Sequence, residues 1–175
     1  MEELSLHILD IVENALNAGA SLVEIEIGDD PANNLLTVRI ADNGAGMESD
    51  LLKEACNPFF TTRTTRRVGL GLSMFKQAAI EAGGEMMVAS EHGKGTEVKT
   101  TFQRDHIDRK PMGDMGSTMV SLIAGNPGVD FLFVSDYEGK EIRLDTREIR
   151  AELDESIPLN SPPILKLIRE LFGKA

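Results

Sequence analysis

The chain has little cysteine and little positive charge. Cys56 is the only cysteine among 175 residues, which excludes an intrachain disulfide and a cluster of thiolate metal ligands. No apolar run approaches the length of a membrane span, and no secretory signal precedes the first predicted helix. We therefore expect a cytoplasmic protein that does not associate with a membrane.

The net charge of −11 argues against broad nucleic-acid binding, because that function needs a basic face. Against this acidic background Arg63, Arg66 and Arg67 lie just before the segment Gly69–Leu72 (GLGL). Guanidinium groups suit phosphate oxygens, and glycines at the start of a helix offer N–H groups to an anion. The stretch from Pro58 to Leu72 therefore predicts a lid over a polyphosphate. For the arginines alone, a solvated surface loop is the alternative.

Apolar spacing predicts an amphipathic helix over residues 4–18. Its other side carries His7, Asp10, Asn14 and Asn17 within an arc of roughly 80°. Asp and Asn are poor interior helix formers, whereas a carboxylate and an amide four residues apart suit a hydrated Mg²⁺ ion. A solvated polar face is the alternative for this stripe.

Two alternating runs, residues 22–27 and 35–41, predict a β-hairpin. The second run ends in the segment Asp42–Met47 (DNGAGM). This segment has the composition of a simple turn. Its two glycines would also let a flat ligand approach the backbone, and the carboxylate of Asp42 is suited to accept an exocyclic amine.

The remaining patterns predict the order α-β-β-α-lid-α-β-β, which implies helices layered on one face of a mixed sheet. The predicted elements are helices over 49–56 and 71–82 and strands over 85–90 and 97–102, the strands joined by the turn Gly93–Thr96. No GxxxxGK[ST] motif is present, and GLGL lacks the preceding strand of a dinucleotide fingerprint. A different nucleotide-binding fold is needed.

Residues 1–104 are predicted to form one domain and residues 105–175 an α/β extension that packs on it. Within the extension we predict helices over 115–124, 146–153 and 162–172 and strands over 130–135 and 140–144. This part of the sequence has no cluster of residues with obvious chemistry. Its hairpin is suited to extend the sheet, and its helices to cover an edge or to dimerise.

Four segments together resemble the GHKL superfamily of ATP-binding domains, which includes sensor histidine kinases, mismatch-repair and gyrase ATPases, Hsp90 chaperones and anti-sigma-factor kinases. Asp10–Ala20 resembles its N box and Asp42–Met47 its G1 box. PFFTT and GLGL resemble the F and G2 boxes of histidine kinases, and Gly93–Thr96 the last glycine-rich box. The resemblance covers residues 4–102 and implies an α+β Bergerat fold that binds ATP and Mg²⁺. Residues 105–175 resemble the extension of small stand-alone ATP-binding proteins.

The resemblance implies a role for each matching residue. Asn14 would hold Mg²⁺, Asp42 would accept the adenine amino group, and Thr96 would support Asp42. Gly44 and Gly46 would lie beside the adenine and ribose. The remaining nucleotide contacts implied by these boxes are Asn17, Arg63, Arg66, Arg67, Gly69, Leu70, Gly71 and Leu72.

Two departures from the family bear on activity. ATPases of the superfamily have a Glu four residues before the Mg²⁺ ligand, whereas this chain has Asp10, which is one methylene shorter. Asp10 is therefore a candidate base for slow hydrolysis, or the γ-phosphate goes to a partner. Moreover, none of the three histidines has the helical-hairpin context of a phospho-acceptor.

Three functions follow from this resemblance. The first is a kinase that transfers the γ-phosphate of ATP to a separate partner protein. The second is a binding module whose lid is ordered by ATP and then recruits a partner. The third is a slow ATPase coupled to homodimerisation.

Overall fold

The structure is a computed structural model that describes residues 3–48, 50, 52, 70–154 and 156–174. Its helices are α1 (Leu4–Asn17), α2 (Gly71–Glu81), α3 (Met115–Gly125), α4 (Thr146–Glu152) and α5 (Pro162–Lys174). Its strands are β1 (Leu22–Asp30), β2 (Leu35–Asp42), β3 (Met86–Glu91), β4 (Gly95–Gln103), β5 (Asp130–Ser135) and β6 (Ile142–Asp145). A short 3₁₀ turn, Tyr137–Gly139, lies between β5 and β6.

Most predicted elements agree with these bounds to within two residues. The exception is β1, which continues to Asp30 instead of ending at Ile27. The last helix was predicted to end at Phe172 but continues through Gly173 to Lys174. The predicted helix over 49–56 lies almost entirely outside the described residues.

All six strands form one mixed sheet in the order β3-β4-β2-β1-β5-β6. β5 runs parallel to β1, and every other neighbouring pair is antiparallel. Alternation along the strands divides the sheet into an apolar face and a polar face. On β1, Val23, Ile25 and Ile27 are buried, whereas Glu24 and Glu26 lie on the opposite side and form ion pairs with Arg39. The predicted α+β fold, with helices on one face of a mixed sheet, is confirmed.

The core fills the space between the apolar face of the sheet and the helices. Its largest fully buried side chains are aromatic and come from α2, β4 and β5: Phe75, Phe102, Phe131 and Phe133. Burying a side chain of this size stabilises the fold by about 1.5–3 kcal/mol. In the described part of the chain, no helix is both long and apolar enough to cross a membrane.

The segment after β4 contacts the first helix before the chain re-enters the sheet. The backbone N–H groups of Leu4 and Ser5, which begin α1, donate to the carbonyl oxygens of Pro111 and Met112 at 2.9 and 2.8 Å. These bonds satisfy two of the N–H groups that a helix leaves unpaired at its start. The first turn of α1 is thus held by the first part of residues 105–175.

Candidate functional site

Three polar side chains form a row across β3, β4 and β2 at one end of the sheet. Ser90 is the register partner of Thr96, and Thr96 is the register partner of Asp42. Directly opposed residues project to the same side of a sheet, with β-carbons about 4.5–5.5 Å apart. This side is the helix-facing one, because the next residues of the same parity, such as Val98 and Ile40, are buried in the core. We call Ser90, Thr96 and Asp42 the polar row.

Asp42 lies at the end of β2, and its carboxylate is half-buried. Its Oδ1 accepts the backbone N–H of Gly44 at 2.8 Å. Burial raises the pKa of the Asp42 carboxyl, while the N–H groups of Gly44 and Thr96 stabilise the charged form and oppose that shift. The result is a partly dehydrated acceptor at the end of the sheet.

Gly95 allows the backbones of β4 and β2 to meet beside Asp42. Its φ is +110°, and a β-carbon there would lie 1.9 Å from the carbonyl oxygen of Asp42. No other residue type fits this backbone conformation and this spacing without displacing the end of β2. The glycine-rich turn thus sets the position of Thr96 against Asp42.

Ser90 was not predicted from the sequence to belong to the site. Its Oγ lies 2.8 Å from the backbone nitrogen of Met47, 2.8 Å from Oγ1 of Thr96 and 3.0 Å from the carbonyl oxygen of Gly95. It therefore joins the end of the 43–47 loop to the glycine-rich turn. Only its position opposite Thr96 in the β3–β4 hairpin would have assigned Ser90 to the site. That position is known only once the register of the two strands is known.

The 43–47 loop is held between α1 and the glycine-rich turn by backbone hydrogen bonds. Ala45 donates its N–H to Ala18 at 2.9 Å, and its carbonyl accepts the N–H of Gly93 at 2.7 Å. Gly46 has a φ of +64°, and a β-carbon there would lie 2.1 Å from the carbonyl oxygen of Glu91. Three predicted motifs that are distant in sequence therefore meet at this loop.

Asn43 orients the loop from its outer side and was also missed from the sequence. Its Oδ1 accepts the N–H groups of Ser21 and Leu22, both at 2.9 Å, and its Nδ2 donates to Oγ of Ser21. These bonds fix the Asn43 side chain against the start of β1. Asn43 thus positions the 43–47 loop.

The predicted stripe of α1 is divided by the structure. Asp10 and Asn14 are half-buried, whereas Asn17 is exposed. Gly71, the first residue of α2, lies against Asp10, since a β-carbon at position 71 would be 3.0 Å from Cβ and 3.3 Å from Oδ2 of Asp10. The N-terminus of α2, with its unpaired N–H groups, therefore meets the carboxylate of α1.

The sequence placed His7 in the polar stripe of α1, and this placement is wrong. Its side chain is buried and stacks on Phe75 of α2, with ring centroids 5.3 Å apart and planes 17° from parallel. Burial lowers the pKa of His7, and neither ring nitrogen has a hydrogen-bond partner among the described residues. Helical spacing alone places His7 on the polar side of α1. In the structure α2 packs against this part of α1 and buries His7.

The remaining predicted site residues are only partly described. Leu70 is exposed, whereas the side chain of Leu72 is buried in the core, so that only its backbone is available to a ligand. Arg63, Arg66, Arg67, Gly69 and the PFFTT turn lie outside the described residues.

Comparison with known proteins gives the same picture. The profile of the family described as "Histidine kinase-, DNA gyrase B-, and HSP90-like ATPase" matches residues 2–106. A protein of Shewanella frigidimarina that is provisionally named a sensor protein is 39% identical over 103 residues, which are 58% of this chain and 16% of that protein. Sporulation kinase E of Bacillus subtilis is 39% identical over 82 residues, which are 41% of this chain and 11% of the kinase. The chain thus spans less than a fifth of the length of these relatives.

A solved structure extends the likeness in fold to the whole chain. The MutL ATPase domain of Aquifex aeolicus, complexed with ADP, aligns with a TM-score of 0.50 at 18% sequence identity. The alignment covers 100% of this chain and 98% of that domain. At this identity the likeness concerns the fold alone.

Proposed function

Because the chain belongs to the family of histidine kinase-, DNA gyrase B- and HSP90-like ATPases, we propose that it binds Mg-ATP and phosphorylates or regulates a separate partner protein. Membership in the family confirms the resemblance seen in the four sequence motifs. A location in the cytoplasm, where ATP is available, belongs to the same proposal.

One observation carries the proposal for the adenine end of the nucleotide. The half-buried carboxylate of Asp42 lies in register with Thr96, beside a loop in which Gly44 is buried and Gly46 is half-buried. Partial burial raises the pKa of Asp42, and in such a partly dehydrated environment a hydrogen bond from an amine is worth more than in solution. A planar base with an exocyclic amino group fits these properties.

The phosphate end of the nucleotide would lie where α2 begins beside α1. The N-terminus of an 11-residue helix attracts anions through its unpaired N–H groups and its dipole. Asp10 and Asn14, one turn apart and half-buried, offer the oxygen atoms that Mg²⁺ prefers, and Mg²⁺ usually takes few protein ligands beside phosphates and waters. The residues present therefore fit a Mg²⁺ ion held by Asn14, which would neutralise phosphate charge.

The first turn of α1 favours regulation of a partner as a second candidate function. Leu4 and Ser5 are hydrogen-bonded to Pro111 and Met112. These bonds lie about one and a half helical turns from Asp10 and about two and a half turns from Asn14. A shift of α1 on nucleotide binding would therefore displace the first part of residues 105–175. In this alternative a partner binds that region only in one nucleotide state, and no phosphate is transferred.

Calorimetric titration with Mg-ATP tests the binding step. Asp42→Asn should weaken affinity at least about a hundredfold, because Oδ1 keeps the Gly44 N–H and the amide places a donor where the base needs an acceptor. Asp108→Asn makes the same chemical change at an exposed position and should leave the affinity unchanged. Equal affinities for Asp42→Asn and the wild type would refute the proposed site.

Incubation of a cell extract with the protein and γ-labelled ATP distinguishes the two candidates. Transfer predicts a labelled partner band that disappears when Asp42→Asn replaces the wild type. Regulation without transfer predicts no new band, but a partner that co-sediments with the protein in ATP and not in buffer. A chain that neither labels nor captures a protein in the extract would contradict both.

A further inference from the structure

One assignment of the hydroxyl protons of Ser90 and Thr96 satisfies every contact of Ser90. The carbonyl oxygen of Gly95 can only accept, so that Ser90 donates its single proton to it at 3.0 Å. The N–H of Met47 can only donate, and it occupies one lone pair of Ser90. The second lone pair faces Oγ1 of Thr96 at 2.8 Å. The arrangement that satisfies all three contacts at once has Thr96 as the donor in this last one.

This assignment leaves Thr96 without a proton for a ligand. Its hydroxyl proton is directed at Ser90 on the β3 side, and Asp42 is its neighbour on the β2 side. The ionised carboxylate of Asp42 is also an acceptor only. Two neighbouring groups of the polar row thus present lone pairs and no protons.

We infer that Ser90 is a positioning residue that fixes the Thr96 hydroxyl as an acceptor and so makes the site select a 6-aminopurine over a 6-oxopurine. The inference rests on the proposed nucleotide site and goes beyond it, since Ser90 need not touch the base. An amino group offers two N–H donors to the two acceptors. A 6-oxo group in the same position places its own lone pairs against them.

A site built around hydrogen bonds rejects an analogue that leaves them unmade more strongly than an apolar pocket rejects an extra methylene. The selectivity depends on Ser90, because a free threonine hydroxyl would rotate and donate to a carbonyl. Removal of the Ser90 hydroxyl should thus relieve the repulsion of the 6-oxo group. Removal of the Ser90 hydroxyl also removes the acceptor of the Met47 N–H and so loosens the 43–47 loop. A looser loop should weaken the binding of all nucleotides alike.

Affinities for Mg-ADP and Mg-IDP test the inference, since the two bases differ at the 6-position and the adjacent N1. The wild type should prefer ADP by about a hundredfold or more. Ser90→Ala should lower that preference by about tenfold, mainly through tighter binding of IDP. Ser90→Thr keeps the hydroxyl and should restore the preference.

A double-mutant cycle separates positioning from a structural role. Thr96→Val has nearly the same shape and lacks the hydroxyl, so Ser90→Ala should have no further effect on the ADP/IDP ratio in that background. If Ser90→Ala instead weakens ADP and IDP equally, with the ratio unchanged, Ser90 is structural only and the inference fails. A wild type that binds neither nucleotide would refute the proposed function itself.

A second measurement needs no variant and holds even if Ser90→Ala does not fold. The diphosphate of unsubstituted purine riboside has neither donor nor acceptor at the 6-position. An all-acceptor row predicts that its affinity lies between those of ADP and IDP, since it loses a bond without adding repulsion. An IDP affinity equal to or above that of the unsubstituted purine nucleotide would overturn the inference.

Discussion

Asp10 of α1 is in contact range of Gly71, the first residue of α2: a β-carbon at position 71 would lie 3.0 Å from Cβ and 3.3 Å from Oδ2 of Asp10. The contact joins two motifs that are sixty residues apart in the sequence. It brings the one carboxylate on the inner side of α1 to the helix end that would receive phosphate. The spacing between α1 and α2 is therefore part of the proposed site.

Gly71→Ala should weaken Mg-ATP binding by about tenfold, which corresponds to about 1.4 kcal/mol. The added methyl must displace Asp10 or the start of α2 by a few tenths of an ångström, while the exchange of Gly for Ala favours the helix itself. Calorimetry gives the affinity, and thermal unfolding checks that the fold is kept. Gly125→Ala is the matched control, because nothing lies within 4 Å of that helical glycine. Equal affinities for the two variants would show that the Asp10–Gly71 spacing is irrelevant.

Two substitutions of Asp10 should change the rate of ATP hydrolysis in opposite directions: Asp10→Glu should raise it and Asp10→Asn should lower it. Asp10→Glu extends the carboxylate by one methylene and so restores the Glu that ATPases of the superfamily have at this position, and it should raise the phosphate-release rate. Asp10→Asn removes the base and should lower it at least about tenfold, since a general base contributes about 10²–10⁴. Glu13→Gln, on the exposed side of the same helix, serves as the control. A wild-type rate for Asp10→Asn would exclude Asp10 as the base.

Asp29 should stabilise the fold at neutral pH and cease to do so in acid. Its nearly buried carboxylate accepts Nε and Nη2 of Arg104 at 2.6 and 3.1 Å and the N–H of Glu138 at 3.0 Å. The hydrogen bond from Arg104 lowers the pKa of Asp29, despite the opposing effect of burial. Stability from this carboxylate is thus fully present above about pH 4 and is lost as the pH falls through the lowered native value.

Asp29→Asn should therefore cost about 1–3 kcal/mol of unfolding free energy at pH 7. The difference from the wild type should be smaller at pH 3, because below about pH 4 the unfolded chain takes up a proton at Asp29 more readily than the native state does. Urea unfolding at the two pH values measures both quantities, with the exposed Asp108→Asn as control. A difference that is independent of pH would mean that the charge of Asp29 is not what Arg104 stabilises.

His7→Phe should stabilise the protein, and more at pH 5 than at pH 8. The variant keeps an aromatic ring against Phe75 and removes two ring nitrogens that have no partner among the described residues. Because burial lowers the pKa of His7, the unfolded chain binds a proton that the native state does not, and wild-type stability falls below about pH 6.5. Urea unfolding should show the margin growing by up to about 1.4 kcal/mol per pH unit. His92→Gln, at an exposed histidine, should show no such growth.

Local patterns predicted most of the fold because strand alternation and helical periodicity are properties of neighbouring residues. The strand at residues 130–135 was predicted with the bounds that the structure has. The parallel pairing of β5 with β1 was not predictable in this way, because it depends on contacts between segments more than a hundred residues apart. Residues 105–175 contribute β5 and β6 to the same sheet. The sequence indicated only that the hairpin in this region was suited to extend the sheet.

The sequence could identify those residues of the candidate site that belong to a recognisable local motif. Asp42, Thr96 and the glycines between them have such motifs, whereas Ser90 enters through its register with Thr96. His7 was misassigned because the helical arc does not say where a second helix packs. The roles of Arg63, Arg66, Arg67 and Gly69 stay predictions, since these residues lie outside the described part of the chain.

The central claim is that an adenine nucleotide binds between the polar row and the start of α2, and backbone amide NMR during titration with Mg-ADP tests it most directly. The largest chemical-shift changes should fall on Gly44, Gly46 and Thr96 at the adenine end and on Gly71 at the phosphate end. The polar face of the sheet, which carries Lys99 and the ion pairs of Arg39, should change little. Changes concentrated on that polar face, with the amides of the polar row unmoved, would contradict the account.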